Sequence, residues 1–338
     1  MHILVTGGCG FIGSNFIMYM LKSYPDVRIT NLDLLTYAGN LANLDESREF
    51  EGRYRFVRGD IADRDVVDAI LADNPDVVVN FAAESHVDRS ILDSSIFVKT
   101  NILGTQVLLD ACRQHQIPRF VQISTDEVYG SLGPTGAFTE QHPIVPNSPY
   151  AASKASADLL VRAYHKTHNL NVVTTRCSNN YGPFQFPEKL IPLMITNAME
   201  GKPLPVYGDG FNVRDWIYVT DHCRAVDLIL QEGKPGETYN IGAGKELPNI
   251  EIVKLILKIV GKSEELIRFV EDRPGHDRRY AMDASKLQRE LGWKPLVDFE
   301  EGMAMTVKWY IENTQWWRQI KSGEYLNYYD KWYGNRVA

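Results

Sequence analysis

The sequence has few cysteines, no long apolar run and no excess of positive charge. Its four cysteines, Cys9, Cys112, Cys177 and Cys223, are far apart and form no C-x-x-C pair, so neither disulfides nor a zinc site are expected. No run of about 18 apolar residues is present, and no basic segment precedes the apolar N-terminus, which argues against a membrane span or signal peptide. The net charge of −7 argues against a nucleic-acid partner. These absences favour a cytoplasmic protein that binds no membrane, nucleic acid or metal.

Short apolar segments alternate with helical patterns through the first half of the chain. The apolar segments cover residues 2–6, 27–32, 54–57, 76–82, 119–123 and 172–176, and helical patterns include residues 62–72, 94–114 and 150–167. This alternation predicts an α/β protein with a Rossmann-type, doubly wound parallel sheet. Right-handed crossovers bring the carboxyl ends of such strands to one edge of the sheet, where a ligand is expected to bind.

The first predicted strand runs directly into a glycine-rich turn that is followed by an apolar helix. Gly7, Gly10 and Gly13 follow the pattern G-x-x-G-x-x-G. Such glycines let a pyrophosphate approach the helix N-terminus, where free N–H groups and the helix dipole favour negative charge. Asp33, at the end of the second strand, suits a ribose diol and disfavours a 2′-phosphate, which predicts NAD rather than NADP. The other interpretation of Asp33 is a strand-end cap.

Tyr150 and Lys154 are four residues apart in a helical pattern. Residues with this spacing lie on one face of an α-helix and can act on one ligand. A free phenol loses its proton near pH 10, so tyrosine is a general base at neutral pH only beside positive charge. Lys154 and an oxidised nicotinamide would supply that charge. For an isolated pair, an ordinary amphipathic helix is the alternative interpretation.

Asp126 and Glu127 follow the fifth predicted strand and add two carboxyl groups that simple hydride transfer does not need. Neighbouring carboxyl groups in a closed site shift each other's pKa, so that one stays protonated as an acid while the other acts as a base. Adjacent residues of a regular strand point to opposite faces. Both acids reach one ligand only if the strand has ended by Asp126; otherwise one of them caps the following segment.

Five segments resemble the extended short-chain dehydrogenase/reductase family and, within it, the dTDP-glucose 4,6-dehydratases. They are residues 33–40 (DLLTYAGN), 82–90 (AAESHVDRS), 124–130 (STDEVYG), 150–154 (YAASK) and 179–183 (NNYGP). The resemblance extends from the glycine turn to about residue 310. It implies tightly held NAD, a nucleotide-sugar substrate and a homodimer joined through helices near residues 94–114 and 150–167.

The resemblance implies a dehydration in three steps. Tyr150, supported by Lys154, would take the proton of the sugar 4-hydroxyl while the C4 hydride passes to NAD+, with Thr125 binding the C4 oxygen. Glu127 would then remove the C5 proton while protonated Asp126 delivers one to the departing C6 hydroxyl. Return of the hydride to C6 would give a 4-keto-6-deoxy sugar, a precursor for deoxysugar synthesis of the rhamnose type.

The resemblance also implies which residues bind each ligand. For NAD these are Gly7, Gly10, Phe11, Ile12, Gly13, Asp33, Leu34, Thr36, Asp60, Ile61, Ala82, Ala83, Ser85, Thr100, Tyr150, Lys154 and Asn180. For the nucleotide sugar these are His86, Thr125, Asn179, Lys189, Leu190, Pro205, Val206, Tyr207, Arg214, Asn249, Arg273 and His276. Tyr207 would stack on the base.

The sequence pattern changes after Asn180, where turn-rich residues 181–187 interrupt the alternation. We therefore predict an NAD-binding domain at residues 1–180, with returns near 212–240 and 298–315. Residues 181–338 are predicted to form mainly a smaller, mixed α/β domain for the nucleotide sugar. Its arginines and lysines suit a diphosphate.

Three other functions are compatible with parts of this pattern. A UDP-sugar 4-epimerase shares the glycine turn and the Tyr-Lys pair but has no use for Asp126 and Glu127. A dehydratase for another nucleotide sugar is a second alternative, because a stacking tyrosine accepts any base. A non-catalytic NAD-binding regulator would not need Tyr150 and Lys154, so their presence argues against it.

Overall fold

The computed structural model describes residues 1–322, which fold around a large parallel sheet. Its strands, in chain order, are β1 (His2–Thr6), β2 (Arg28–Asp33), β3 (Tyr54–Arg58), β4 (Val77–Asn80), β5 (Phe120–Thr125), β6 (Val172–Cys177), β7 (Asn179–Tyr181), β8 (Leu204–Tyr207), β9 (Val213–Tyr218), β10 (Thr238–Ile241), β11 (Glu246–Pro248) and β12 (Ile267–Val270). The seven-stranded sheet has the order β10-β6-β5-β4-β1-β2-β3. All its strand pairs are parallel, so the predicted Rossmann-type sheet is confirmed.

Helices cover the large sheet and build the smaller part of the molecule. They are α1 (Phe11–Ser23), α2 (Arg64–Leu71), α3 (Val87–Leu92), α4 (Ser95–Phe97), α5 (Thr105–Gln114), α6 (Pro149–His168), α7 (Leu190–Glu200), α8 (Val219–Glu232), α9 (Asn249–Val260), α10 (Ser285–Leu291), α11 (Phe299–Glu312) and α12 (Thr314–Ile320). A π-helical segment, Val98–Gly104, joins α4 to α5. Short 3₁₀ segments cover Leu41–Phe50, Asp126–Tyr129 and Glu264–Leu266.

Both faces of the large sheet are buried, as expected for parallel strands covered by helices. In β1, Ile3 and Val5 belong to a core shared with α1 and α8, whereas Leu4 belongs to the core under α2 and α5. This alternation explains why β1 is apolar throughout. The central position of β1, between β2 and β4, makes its carboxyl end the point at which the strand order reverses. Ligands bind at that point in folds of this class.

The smaller part of the molecule has its own core and two small sheets. The sheets have the orders β11-β9-β7 and β12-β8. Their core includes side chains of α7, α9 and α11, among them Ile195, Ile256 and Val307. This mixed α/β region agrees with the predicted fold class. The proposed domain limits stay a prediction, and residues 323–338 of the second domain lie outside the described residues.

Among residues 1–322, none of the helices combines the length and the apolar character needed to span a membrane.

Candidate active site

The glycine turn after β1 leaves space that no other residue type would leave. Gly7 has a φ of +69°, and a Cβ there would lie 2.6 Å from the Cα of Ala82. A Cβ on Gly13 would lie 2.4 Å from the carbonyl oxygen of Gly7. Helix α1 begins at Phe11, and no described side chain caps its first N–H groups. The turn therefore presents free amide donors to an anion such as a pyrophosphate.

Asp33 closes this turn at the end of β2. Its carboxylate oxygens accept hydrogen bonds from the amides of Cys9, at 2.9 Å, and Leu35, at 2.8 Å. Burial raises the pKa of Asp33, while the two amide donors lower it. The side chain also lines the cavity beside the turn. Asp33 therefore caps the end of β2, which is the alternative interpretation of its role from the sequence. Its position in the cavity lining also allows a hydrogen bond with a ribose hydroxyl.

A cavity of about 300 Å³ runs along the carboxyl ends of β1, β2, β4, β5 and β6. Every residue predicted for NAD lines it: Gly7, Gly10, Phe11, Ile12, Gly13, Asp33, Leu34, Thr36, Asp60, Ile61, Ala82, Ala83, Ser85, Thr100, Tyr150, Lys154 and Asn180. Thr125, Glu127, Asn179 and Lys189 line it as well. The glycine turn, the acid at β2 and the Tyr-Lys helix therefore share one cavity, at the strand ends where a dinucleotide is expected to bind.

Helix α6 brings Tyr150 and Lys154 to this cavity. It begins with Pro149, and the Ser148 hydroxyl accepts a hydrogen bond from the amide of Ala151. Burial raises the pKa of Tyr150 well above its usual value; the charge of Glu127 raises it further, and a hydrogen bond with Thr125 lowers it. Lys154 Nζ donates to the carbonyl of Ile123 at 2.6 Å. The phenol therefore stays protonated unless additional positive charge lies beside it.

The strand that carries the two acids ends before them. Strand β5 stops at Thr125, and Asp126–Tyr129 form a 3₁₀ turn. The Thr125 hydroxyl caps the turn by accepting from the Glu127 amide at 3.3 Å. Asp126 and Glu127 are thus released from the alternation of a strand, which is the condition for both to reach one ligand.

Burial and charge act differently on the two acids. Burial and the neighbouring Glu127 raise the pKa of Asp126 to about 8. Burial also raises the pKa of Glu127, but Arg273, Lys189 and Arg214 lower it. Of the pair, Glu127 has the cations that stabilise its ionised form, and Asp126 is the one held protonated near neutral pH.

Asp126 is also oriented with one oxygen unused. Its Oδ1 accepts a hydrogen bond from the Thr125 hydroxyl at 3.1 Å. Its Oδ2 is buried and has no hydrogen-bond partner among the described residues. A buried carboxyl oxygen without a partner is costly, so a bound ligand is expected to supply one. Asp126 itself does not line the NAD cavity, whereas Glu127 does.

The predicted substrate residues occupy two connected regions. Lys189 lines the cavity and donates to the Ser85 carbonyl at 2.7 Å. Farther out, Asp88 accepts from the Tyr207 hydroxyl at 2.8 Å and pairs with Arg273 at 3.3 Å. The ring of His276 lies 5.9 Å from that of Tyr207. Cationic and aromatic groups thus extend from Glu127 toward the smaller part of the molecule.

The remaining substrate residues lie outside the lining of the cavity. Pro205 and Val206 are buried in β8, Leu190 and Asn249 begin α7 and α9, Arg214 lies in β9, and buried His86 contacts the Glu188 carbonyl. Asn249 Oδ1 and Arg273 Nε are buried without hydrogen-bond partners among residues 1–322. Such unsatisfied atoms suit a polar ligand beside them.

Sequence reasoning missed several residues that build this site. Asn101 exchanges two hydrogen bonds with the backbone of Glu84 and donates to the Ser153 hydroxyl at 2.8 Å, which joins the loop after β4 to α6. Gly59, Ser124, Cys177 and Ser178 also line the cavity, with Gln185 and Phe186. The first four lie at the ends of predicted strands, where the sequence predicts a ligand, but they are assigned no role of their own. No spacing signal marks Gln185, Phe186 or Asn101.

Comparison with known proteins places this geometry in a family. The family model described as GDP-mannose 4,6 dehydratase matches residues 4–306. The dTDP-glucose 4,6-dehydratase of Streptomyces niveus is 54% identical over 326 residues, covering 95% of this chain and 96% of the relative. The chain belongs to the dTDP-glucose 4,6-dehydratase family. The resemblance found in the sequence is therefore confirmed.

Solved structures separate this dehydratase family from the epimerases. DesIV, the dTDP-glucose 4,6-dehydratase of Streptomyces venezuelae, solved with NAD bound, is 52% identical with a TM-score of 0.92, covering 95% of this chain and all of that one. The UDP-glucose 4-epimerase of Thermus thermophilus, solved with NAD, is 31% identical with a TM-score of 0.86, covering 93% of this chain and all of that one. The epimerase shares the fold, but the dehydratase is closer in sequence and structure.

Proposed function

We propose that this chain converts dTDP-glucose to dTDP-4-keto-6-deoxyglucose with NAD as a cofactor. The observation that carries the proposal is the pair Asp126 and Glu127, placed on a turn beside Tyr150 and held in different charge environments. An epimerase needs a base at C4 but no acid and base at C5 and C6. Family membership and the NAD-bound relative support the same function.

NAD fits the residues of the cavity. The free amides at the start of α1 would hold the pyrophosphate, and Asp33 would accept from a ribose hydroxyl. When bound, NAD+ takes the hydride from C4 and returns it to C6, so that the overall reaction involves no net oxidation. A positive charge on the bound cofactor would oppose the effect of burial on the Tyr150 phenol.

Tyr150 serves as the base for the sugar 4-hydroxyl. Its oxygen takes the hydroxyl proton as the C4–H bond breaks, and Thr125 binds the resulting ketone oxygen. Lys154 is buried on the same helix face and adds positive charge. The ketone at C4 then makes the proton at C5 acidic.

Water leaves across C5 and C6 through the two carboxyl groups. Glu127, stabilised as a carboxylate by Arg273, Lys189 and Arg214, removes the C5 proton. The electron pair of that bond forms the C5–C6 double bond as the C6–O bond breaks. Asp126, whose pKa is raised to about 8, gives its proton to the departing hydroxyl, which leaves as water. Reprotonation at C5 completes the product.

The nucleotide part of the substrate would bind in the smaller part of the molecule. Tyr207 would stack on the base, with Pro205 and Val206 beside it, and Arg214, Arg273 and Lys189 would bind the diphosphate. Asn249 and His276 would contact the ribose and phosphates. The unsatisfied Asn249 Oδ1 and Arg273 Nε support this placement.

The chain is further proposed to form a homodimer through α3–α6. Apolar side chains on this surface are exposed to solvent: Leu92, Ile96, Val98, Leu103 and Leu159. Exposed apolar groups that cluster on neighbouring helices are typical of a subunit interface.

The function is tested by mass analysis of the product. Purified protein is incubated separately with dTDP-glucose, UDP-glucose and GDP-mannose, without added reductant. We expect loss of one water from dTDP-glucose alone. Water loss from UDP-glucose or GDP-mannose would assign a different substrate to the enzyme. Conversion of glucose to galactose at unchanged mass would identify an epimerase instead.

A further inference from the structure

A buried ion pair lies next to the active site but outside the proposed chemistry. Asp158 Oδ2 accepts from Arg176 Nε at 2.9 Å, and the two side chains are only 2% and 7% exposed. Pairs buried to this extent lose much hydration, so they contribute little net stability compared with apolar side chains of similar size. Such a pair instead fixes the relative positions of the two segments that carry its residues.

Arg176 binds the turn that carries the two acids. Its Nη1 donates to the Tyr129 hydroxyl at 2.9 Å, and its guanidinium carbon lies 4.8 Å from the centre of the Tyr129 ring. Tyr129 is the last residue of the Asp126–Tyr129 turn. Its hydroxyl donates to Asn240 Oδ1 at 2.8 Å, and its ring stacks on Phe138 at 4.9 Å. The end of the turn is therefore fixed at both the ring and the hydroxyl.

Asp158 extends the same connection to the helix that carries Tyr150 and Lys154. It lies one turn beyond Lys154 on α6, and eight residues, or roughly 12 Å, beyond Tyr150. The charge of Asp158 raises the pKa of Lys154 against the effect of burial. The ion pair thus links the Asp126–Tyr129 turn, which carries the two acids, to helix α6, which carries Tyr150 and Lys154.

Resting on the function proposed above, we propose that Asp158 and Arg176 are positioning residues for the elimination of water. Through Tyr129 they fix the turn bearing Asp126 and Glu127 relative to α6, so that Glu127 reaches C5 while the C4 oxygen stays at Tyr150. Oxidation at C4 depends on Tyr150 and Lys154 of α6 and on Thr125, which precedes the turn. Elimination depends on the distance between α6 and the turn.

The test is the replacement Tyr129→Phe, which removes the hydroxyl that Arg176 and Asn240 bind and keeps the stacking on Phe138. Misplacement of a reacting group by about 1 Å slows a reaction by up to roughly 100-fold. We expect loss of water in a single turnover to slow by about 10- to 100-fold. Oxidation at C4 should keep its rate, so the 4-keto sugar that still holds its 6-hydroxyl should accumulate and be detected by mass.

A second variant and a matched control separate positioning from stability. The double replacement of Asp158→Asn and Arg176→Met removes the ion pair with little change in volume. We expect elimination to slow by more than oxidation, which is itself slowed in this variant because Lys154 loses the charge of Asp158. Tyr164→Phe removes another hydroxyl of α6, which binds Asp110 at 2.7 Å and has no bond to the turn. It should change neither step. The Tm of each variant is measured in parallel.

Equal slowing of both steps, or no accumulation in Tyr129→Phe and the double variant, would overturn the positioning role. The unmodified protein distinguishes this result from failure of the proposed function. If it loses no water from dTDP-glucose, the function itself is wrong, and the positioning role falls with it.

Discussion

Asp126 and Glu127 are adjacent buried residues, yet the cations of the site are arranged mainly around Glu127. Burial raises the pKa of both acids. Arg273, Lys189 and Arg214 oppose this effect at Glu127, whereas the charge of Glu127 is the main electrostatic influence on Asp126 and raises its pKa further. The three cations come from separate segments of the smaller part of the molecule. The folding of that part therefore determines which of the two acids lies nearest to positive charge, and with it the roles of acid and base that we propose.

The raised pKa of Asp126 should make the free energy of unfolding depend on pH. The pKa of Asp126 is about 8 in the folded protein and near 4 in an unfolded chain. Between these values the folded state retains a proton that the unfolded state has lost, so the free energy of unfolding falls as pH rises. The replacement Asp126→Asn removes the titrating group, and with it this fall in stability at higher pH. We expect its urea midpoint to exceed that of the unmodified protein by more at pH ~8 than at pH ~5. The same difference at both values would contradict the raised pKa.

Removal of the Tyr150 hydroxyl should stop the reaction at its first step. Tyr150→Phe retains the ring but has no oxygen to take the 4-hydroxyl proton. General bases contribute about 100- to 10,000-fold, and we expect a loss of this size in the rate of cofactor reduction, with little change in substrate affinity. The absorbance of the reduced nicotinamide after mixing with substrate measures the rate. Normal reduction in this variant would remove Tyr150 from the role of base.

The glycine turn should tolerate no side chain at Gly13. In Gly13→Ala the new Cβ would lie 2.4 Å from the Gly7 carbonyl oxygen, so the turn must shift away from the position proposed to hold the pyrophosphate. Gly133→Ala is the control, because nothing lies within 4 Å of a Cβ there. We expect NAD content, measured by mass spectrometry of the released cofactor, to fall in the first variant only. Equal NAD content in both would contradict the assigned pyrophosphate site.

The proposed dimer surface can be tested with a single charge. Leu103 is 46% exposed on the α3–α6 surface, and Leu296, at 62%, is an exposed apolar control away from it. Leu103→Glu should give a monomer by light scattering at concentrations where the unmodified protein and Leu296→Glu are dimers, because a charge at an interface loses its hydration. A dimeric Leu103→Glu protein, or a monomeric unmodified protein, would contradict this interface.

The sequence predicted six of the seven strands of the large sheet, because most of them contain a short, largely apolar segment followed by a polar strand end. The predicted limits of β1, β3 and β6 agree with the structure to within one residue. Strand β10 escaped prediction, because the four residues Thr238–Ile241 have no distinct periodicity and pair with β6 across a long stretch of chain. Strand β4 ends at Asn80 rather than at residue 82, since the chain leaves the sheet there to line the cavity.

The site could be predicted where it depends on local spacing. The glycine turn, Tyr150 with Lys154, and the two adjacent acids are all defined by neighbours in the chain. The meeting of Lys189, Arg214 and Arg273 near Glu127, and of Tyr207 with Arg273 at Asp88, depends on tertiary folding. No motif joins Asp158, Arg176 and Tyr129, although each lies within four residues of a predicted catalytic or ligand residue.

The division of roles between Asp126 and Glu127 is tested most directly by deuterium uptake at C5 of the sugar in D2O. Asp126→Asn leaves Glu127 able to exchange the C5 proton but removes the acid for the C6 hydroxyl, so we expect deuterium at C5 of the 4-keto sugar without loss of water. Glu127→Gln should show oxidation at C4 with no deuterium uptake. Uptake in Glu127→Gln, together with its absence in Asp126→Asn, would contradict the assignment of base and acid.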